Sequence, residues 1–200
     1  MSADDEPGIR DRTRRAVRRE IVEAAMPLFL DNGFEATTVD QVVEAAGISR
    51  RSFFRYFATK EDVVLGDLLD RGHRVQAELA RRPAEETPWE AVRGALLVLR
   101  DEVPSSSAVE LQMARMLHDS PSLRARRLEK QLGWQELLVP TLAQRLRATG
   151  VDGSAAEHRA AAIVASALVC LDTATETWLR RDGAASLEDL WDEAVAAVRA

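Results

Sequence analysis

Residues 37–60 read TTVDQVVEAAGISRRSFFRYFATK, and this stretch decides the fold of the N-terminal part of the chain. The apolar residues of its first half recur at i, i+3, i+4 and i+7, which places them on one face of a helix. They are Val39, Val42, Val43 and Ala46. The pattern predicts a short amphipathic helix with one buried face.

The ends of this helix are marked by residues that satisfy free backbone groups. Thr38 followed three residues later by Gln41 is typical of a capping box, in which each side chain accepts a hydrogen bond from the other residue's backbone N–H. Gly47 can adopt the left-handed conformation that ends a helix without steric cost. Ser49 then caps a second helix of about two turns. The sequence therefore predicts a helix-turn-helix.

The second helix carries a high concentration of aromatic and basic side chains. Phe53 and Phe57 share one side of it and are expected to point inward. Thr59 starts the next helix and places Lys60 at its positively polarised N-terminus, which suits a phosphate group. The opposite side and both flanks of the second helix hold Arg50, Arg51, Ser52, Phe54, Arg55 and Tyr56. Such a surface is a poor candidate for a merely solvated face.

With these residues in place, the chain resembles the TetR family of transcriptional regulators over roughly residues 12–65. The family pattern T-(x)4-A-(x)2-A-G-(x)-S-(x)3-F-(x)2-Y-F-(x)2-K-(E)-(D) is matched by Thr37 to Asp62. The chain departs from the family at Val43, where Ala is frequent, and at Pro27, which lies inside the first predicted helix.

The resemblance implies binding to double-stranded DNA, with base contacts from Arg50, Arg51 and Phe54. It also implies phosphate contacts from Thr38, Ser52, Arg55, Tyr56 and Lys60. To this surface we add Arg14, Gln41 and Ser49. The competing explanation is an ordinary three-helix bundle, because such bundles show similar periodicity.

The net charge of −6, from 27 Lys/Arg and 33 Asp/Glu, does not argue strongly against a nucleic-acid partner. Residues 1–60 contain ten residues of each sign, so the acidic excess lies in residues 61–200, with 17 against 23. What matters is a local basic cluster. One such basic cluster precedes the helix-turn-helix. It is either a solvated helix start or an arm that reaches a phosphate or the minor groove. Its members are Arg10, Arg12, Arg14, Arg15, Arg18 and Arg19.

Several classes of protein are disfavoured by the sequence. The single cysteine, Cys170, allows no intrachain disulfide and fits a reducing compartment. The N-terminus, MSADDEPG, is too acidic for a secretion signal, and the apolar run 160–171 is too short to span a bilayer. The histidines His73, His118 and His158 lack metal-ligand spacing, and no nucleophile or phosphate-loop motif is present. We expect a cytoplasmic protein that is not an enzyme and needs no cofactor.

No strand pattern or repeat is present, so we predict an all-α protein. We expect a disordered segment at 1–12, a helix-turn-helix domain at 13–60, and a helical domain for ligand binding and dimerisation at 61–200. Pro27 is expected to bend the first helix. The predicted helices outside the central motif are 13–31, 59–81, 88–103, 107–118, 121–148, 154–181 and 187–199.

The helix at 154–181 is apolar on nearly every side between residues 160 and 171, so it must be covered all round. We expect one face to pack on the monomer's core. Another face of this helix, together with the last helix, is expected to pack on a second subunit, as in the TetR family. The alternative is one thick monomeric core.

If the resemblance extends to residues 88–148, those helices line a cavity for a small hydrophobic effector. Ordinary core packing or a solvated position is the competing explanation for each candidate lining residue. The candidates are His73, Glu110, Met113, His118, Trp134, Asp172 and Glu176.

These observations indicate a homodimeric, ligand-responsive repressor that binds a palindromic operator. Two alternatives remain. One is a small-molecule carrier with a vestigial helix-turn-helix. The other is a DNA-coating protein, which would bind every duplex with a steep salt dependence.

Overall fold

The computed structural model of the chain describes residues 9–66, 68–98 and 108–199, and every regular element within them is an α-helix. The all-α prediction is confirmed. The predicted disorder of residues 1–12 lies mostly outside this part of the chain, although residues 9–12 already belong to the first helix. The helices are α1 (Ile9–Asn32), α2 (Val39–Ala45), α3 (Arg50–Tyr56), α4 (Glu61–Leu65), α5 (Leu68–Arg81), α6 (Pro88–Leu97), α7 (Ala108–Asp119), α8 (Pro121–Ala148), α9 (Gly153–Arg180) and α10 (Leu187–Arg199).

The chain divides into two compact units. The first, here called the N-terminal unit, comprises residues 1–66 together with residues 120–123, and the second, the C-terminal unit, comprises the remainder. The boundary falls after Gly66, whereas we expected the second domain to begin at residue 61. The reason is that α4 packs on α1 and buries Val63 and Leu65 in the first core.

The N-terminal unit is a small helical bundle in which α1 packs on α2 and α4, and α2 packs on α3. Its largest fully buried side chains are Phe29, Phe53, Phe57 and Ile21. The helix α1 continues through Pro27, whose side chain is exposed. The bundle thus has the aromatic core that the sequence predicts.

The helix predicted for residues 59–81 is divided into α4 and α5, with Gly66 directly after α4. Glycine weakens a helix interior. A Cβ at position 66 would collide with the carbonyl oxygen of Asp62 as well as with the guanidinium of Arg18, and a side-chain movement can relieve only the second of these contacts. The start of α4 is as expected, because Thr59 and Asp62 cap one another: each backbone N–H donates to the other's side chain, at 3.2 and 3.3 Å.

The first residues of α8 belong to the N-terminal unit, where a glutamate holds them. The carboxylate of Glu35 accepts hydrogen bonds from the hydroxyls of Ser120 and Ser122, at 2.5 and 2.8 Å, and from the Ser122 backbone N–H at 3.2 Å. These hydrogen bonds, from Ser120 first, lower the pKa of Glu35. From there α8 runs unbroken past Gly133 and Pro140 into the C-terminal unit.

The C-terminal unit is organised around α9, which packs most extensively on α10 and also on α6 and α7. By length and composition alone α9 could cross a membrane, with a mean hydropathy of 1.3. Only 33% of its most apolar window is buried, however, so the protein core uses one side of the helix. The buried residues of α9 include Ala160, Val164, Ala167, Leu168 and Cys170.

Candidate nucleic-acid interface and ligand site

The helix-turn-helix forms through the local interactions that the sequence predicts. Thr38 caps α2, and its backbone N–H donates to Gln41 Oε1 at 2.8 Å, while the Gln41 N–H donates to Thr38 Oγ1 at 3.3 Å. Gly47 has a φ of +64°, a value that glycine adopts most easily. Ser49 accepts a hydrogen bond from the Ser52 N–H at 3.1 Å and caps α3. These caps fix where α3 starts.

The helix α3 buries two aromatic rings and exposes a basic face. Phe53 and Phe57 are at most 2% exposed, and their ring centroids lie 5.6 Å apart. Phe54, by contrast, is 49% exposed, which is unusual for a large aromatic side chain. Ser52 and Tyr56 are half-buried on one flank. The exposed face of α3, defined here by Arg50, Arg51, Phe54 and Arg55, is therefore available to a partner.

A basic groove of about 350 Å³ lies beside this face, where the start of α1 meets the end of α3. The guanidinium of Arg55 stacks on the Tyr56 ring at 4.9 Å and donates to the Tyr56 hydroxyl at 3.1 Å. The arginines that precede the motif in sequence thus lie on a helix and approach α3. The groove is lined by Arg10, Thr13, Arg14, Arg55 and Tyr56.

Lys60 has a role that its place in the sequence did not suggest. Its ammonium donates to the carbonyls of Phe34 and Thr37, at 2.7 and 2.8 Å, and lies 4.3 Å from the centroid of the Phe34 ring. These bonds hold the loop between α1 and α2. Because a lysine ammonium has three N–H donors, one remains for a phosphate.

Arg18, which we grouped with the N-terminal arginines, also acts within the fold. It donates to the backbone carbonyl of Tyr56 at 2.5 Å, and its guanidinium lies 4.3 Å above the Phe57 ring. It thereby satisfies a carbonyl at the end of α3. The sequence contains no signal for this contact, because the partners are 38 residues apart.

The candidate ligand residues whose side chains the structure describes are not brought together. His73 is exposed, Glu176 pairs with Arg180 at 3.0 Å, and the side chain of Glu110 lies outside the described residues. Met113 is half-buried, and His118 Nδ1 lies 3.1 Å from the Asp119 carboxylate.

Trp134 is packed in the core of the C-terminal unit, which is the competing explanation given for each candidate lining residue. It is 5% exposed, and its indole N–H donates to the Leu68 carbonyl at 2.7 Å. A Cβ on Gly72 would lie 2.7 Å from the indole nitrogen, so glycine is needed where α5 and α8 approach. The hydrogen bond and the close packing of Trp134 therefore hold α8 against α5.

Asp172 belongs to a polar cluster between α8 and α9. Its carboxylate accepts hydrogen bonds from Arg127 at 3.2 Å and from Gln131 at 3.0 Å. Arg127 Nε is a buried donor without a partner among the described residues. Of the six candidates whose side chains the structure describes, Asp172 is therefore the one embedded in a partly buried charged cluster.

Two family models match the chain. The model described as "Bacterial regulatory proteins, tetR family" matches residues 21–66 and ends at the boundary between the two units. The model described as the MftR C-terminal domain matches residues 86–200, which is more than half of the chain.

Curated relatives carry regulator names. The HTH-type transcriptional regulator TcmR of Streptomyces glaucescens is 34% identical over 152 residues, covering 73% of this chain. The chain spans 66% of TcmR, just under two thirds of its length. A putative mycofactocin biosynthesis transcriptional regulator, MftR of Mycobacterium tuberculosis, is 27% identical over 90% of this chain and 88% of that protein.

Solved structures show the same architecture. FadR of Thermus thermophilus, a TetR-family repressor in complex with lauroyl-CoA, is 25% identical with a TM-score of 0.57, covering 90% of this chain and 91% of its own. The SmeT–triclosan complex is 18% identical with a TM-score of 0.58 and covers 91% of each chain, a likeness of fold alone. The helix-turn-helix geometry, both family models and these relatives lead to one conclusion: the chain belongs to the TetR family of bacterial transcriptional regulators.

Proposed function

We propose that the protein is a cytoplasmic, homodimeric repressor that binds a specific palindromic operator and leaves it when a small hydrophobic molecule binds the C-terminal unit. The observation that carries this proposal is the exposed face of α3. The helix α3 and its C-cap residue bury Phe53 and Phe57, and α3 presents three arginines and a half-exposed phenylalanine on its other sides.

Base recognition falls to Arg50, Arg51 and Phe54 in this proposal. An arginine in the major groove donates two hydrogen bonds to guanine O6 and N7, and an apolar ring contacts the methyl group of thymine. The exposure of Phe54 beside Arg50 and Arg51 supports this role, because the ring is free to pack on a base when DNA is bound.

Phosphate contacts surround that face. The basic groove supports a phosphate at Arg14 and Arg55, where the Tyr56 hydroxyl also points. Phosphate contacts fix the register of the protein on the duplex without reading its sequence. The remaining proposed contacts are the polar groups at the helix starts, Thr38, Gln41, Ser49 and Ser52, and the third N–H of Lys60.

A homodimer is supported by the unburied side of α9. Val169 is 61% exposed, and Ala161 and Ala162 are exposed about two turns earlier on the same helix. On α10, which packs against α9, Val198 is 58% exposed. Small apolar residues on a long helix can pack closely on a second copy, and a two-fold dimer presents two α3 helices to two half-sites.

The effector is proposed to bind within the C-terminal unit, near the cluster of Asp172, Arg127 and Gln131. A partly buried, charged cluster with one buried donor, Arg127 Nε, that has no partner among the described residues gives a ligand a polar point of attachment. The lauroyl-CoA bound by FadR supports an effector with a hydrophobic part. Release of DNA requires the effector to bind the DNA-free conformation more tightly than the DNA-bound one.

The proposal is tested by selecting random duplexes with the purified protein at moderate salt and sequencing those that bind. Enrichment of an inverted repeat, with half-sites about one helical turn or ~34 Å apart, is the expected result. Binding without enrichment, lost steeply as salt rises, would instead indicate a DNA-coating protein. No binding at any salt would indicate a vestigial helix-turn-helix.

A further inference from the structure

We propose that Asp40 determines DNA specificity by holding Arg50 in the orientation that reads a base. The Arg50 Nη1 nitrogen lies 3.3 Å from each oxygen of the Asp40 carboxylate. Asp40 is in the first turn of α2 and Arg50 is the first residue of α3, so the pair spans the turn of the helix-turn-helix. This inference rests on the proposed function as a sequence-specific DNA-binding protein.

Folding stability does not explain the pair. The side chains of Asp40 and Arg50 are 67% and 60% exposed, and ion pairs this exposed contribute little to stability. The turn is already held by other groups: the Ile48 N–H donates to the Val43 carbonyl at 3.0 Å, and the caps start both helices. The position of α3 does not depend on this contact.

A carboxylate beside the exposed face of α3 has an electrostatic cost for DNA binding. It repels the phosphates of every duplex, whatever the sequence, and so lowers affinity without lowering selectivity. An anion in that place is understandable if it raises discrimination between sequences. A carboxylate can do so by fixing an arginine that reads a base.

The chemistry of arginine makes this possible. The guanidinium has five N–H donors in a rigid plane, and Asp40 engages one of its two terminal nitrogens. The remaining donors stay available to guanine O6 and N7. Because the pair already limits the rotamers of Arg50, less conformational entropy is lost when the base contact forms.

The same pair weakens binding to wrong sequences. An arginine held by a carboxylate turns less readily toward the nearest phosphate, so a non-cognate complex lacks that contact.

Arg51 is exposed and has no ion pair with any other described residue, so it serves as a matched arginine outside this arrangement. Glu44, also exposed on α2, serves as a matched carboxylate.

The test measures affinity of purified dimers for the duplex enriched by the wild-type protein and for duplexes with one base pair changed symmetrically in both half-sites. Asp40→Ala should lower discrimination at one position by at least about 5-fold, the smaller end of what a base contact contributes. Binding to a scrambled duplex should stay equal or become tighter. Glu44→Ala changes the charge equally and should leave discrimination intact.

The double variants decide whether Asp40 acts through Arg50. Adding Asp40→Ala to Arg50→Ala should have no further effect on discrimination, whereas adding it to Arg51→Ala should lower discrimination by its usual factor. Asp40→Glu, which keeps the carboxylate, should restore part of the loss. A purely structural role for Asp40 in α2 would instead show as an equal loss of affinity for every duplex.

Three outcomes would overturn the inference. Unchanged discrimination in Asp40→Ala would show that the pair is incidental. A loss that persists in the Arg50→Ala background would mean that Asp40 contacts a base itself, as a carboxylate can with cytosine N4. Failure of the wild-type protein to enrich any repeat would remove the proposed function and this inference together.

Discussion

The two units of this protein differ in how far apart in sequence the residues of their candidate sites lie. In the N-terminal unit, the exposed face of α3 and the residues that cap α2 and α3 all lie within 24 residues of sequence, from Thr37 to Lys60. In the C-terminal unit, α9 packs on α10, which follows it, but also on α6 and α7, which are far from it in sequence, and the candidate ligand residues that the structure describes are scattered. A binding surface carried by one short motif can be read from sequence. A pocket shared by several helices cannot.

The aromatic residues allow the two units to be followed separately. All four tryptophans, Trp89, Trp134, Trp178 and Trp191, lie in the C-terminal unit, and the single tyrosine, Tyr56, lies on α3. Tryptophan fluorescence therefore reports on the C-terminal core. DNA binding and tyrosine emission report on the N-terminal unit.

The largest effect is expected from removing a core ring of the N-terminal unit. Phe53→Ala should destabilise that unit by about 3–5 kcal/mol, because a fully buried phenylalanine leaves a cavity. DNA binding should be lost for all sequences, while the tryptophan-monitored thermal transition changes little. Differential scanning calorimetry with parallel fluorescence measures both.

Leu142→Ala is the corresponding variant in the C-terminal unit, because Leu142 is as fully buried there as Phe53 is in the N-terminal unit. It should cost about 2–5 kcal/mol and lower the tryptophan transition. If both variants shifted the two signals together, the units would form one cooperative core, and the contrast drawn between them would fail.

The next effect tests the face of α9 that remains exposed. Val169→Glu should dissociate the dimer, raising the free energy of dimerisation by at least about 2 kcal/mol because an unpaired charge is buried. Sedimentation velocity over a concentration series measures the change. Leu132→Glu on α8 is the control, since both side chains are 61% exposed. Equal behaviour of the two variants would place the interface elsewhere.

Lys60→Ala should destabilise the N-terminal unit by about 1–3 kcal/mol, since two partly buried carbonyls lose a charged donor. The loss of DNA affinity should be similar for enriched and scrambled duplexes. The melting temperature of the N-terminal unit, followed by circular dichroism, gives the stability change. An unchanged melting temperature with weaker DNA binding would assign Lys60 to phosphate alone.

The smallest effect concerns Glu35, which caps the start of α8. Its pKa is lowered by the hydrogen bonds from Ser120 and Ser122, so its contribution is complete above the ordinary glutamate pKa and is lost as the pH falls through the lowered value. Glu35→Gln should cost less than ~1 kcal/mol near neutral pH, because the group is well exposed. The difference from wild type should shrink toward about pH 4 and below. A difference that is constant with pH would show that charge is not involved.

Sequence patterns predicted the interactions whose two partners lie within about one helical turn of each other. The capping box of Thr38 with Gln41 and the cap at Ser49 are found as expected, as is the turn glycine Gly47. Periodicity also predicted the inward faces of α3 and the apolar character of α9. These features depend only on neighbours in sequence.

Long-range partners were not predictable in the same way. Lys60 bonds to carbonyls 26 and 23 residues away, and Arg18 to one 38 residues away. These contacts within the fold were not predicted, because the charge of a side chain does not show which distant carbonyl it reaches; the phosphate contact of Lys60 stays a prediction. The break between α4 and α5 was also missed, although the glycine at position 66 weakens a helix interior.

The most direct test of the central claim compares wild type and Arg51→Ala on the enriched duplex and on a scrambled duplex of equal length. If the exposed face of α3 reads bases, the variant should lose about 1–3 kcal/mol per half-site on the enriched duplex and far less on the scrambled one. Losses that are equal on both duplexes, or no loss on either, would contradict base recognition by α3.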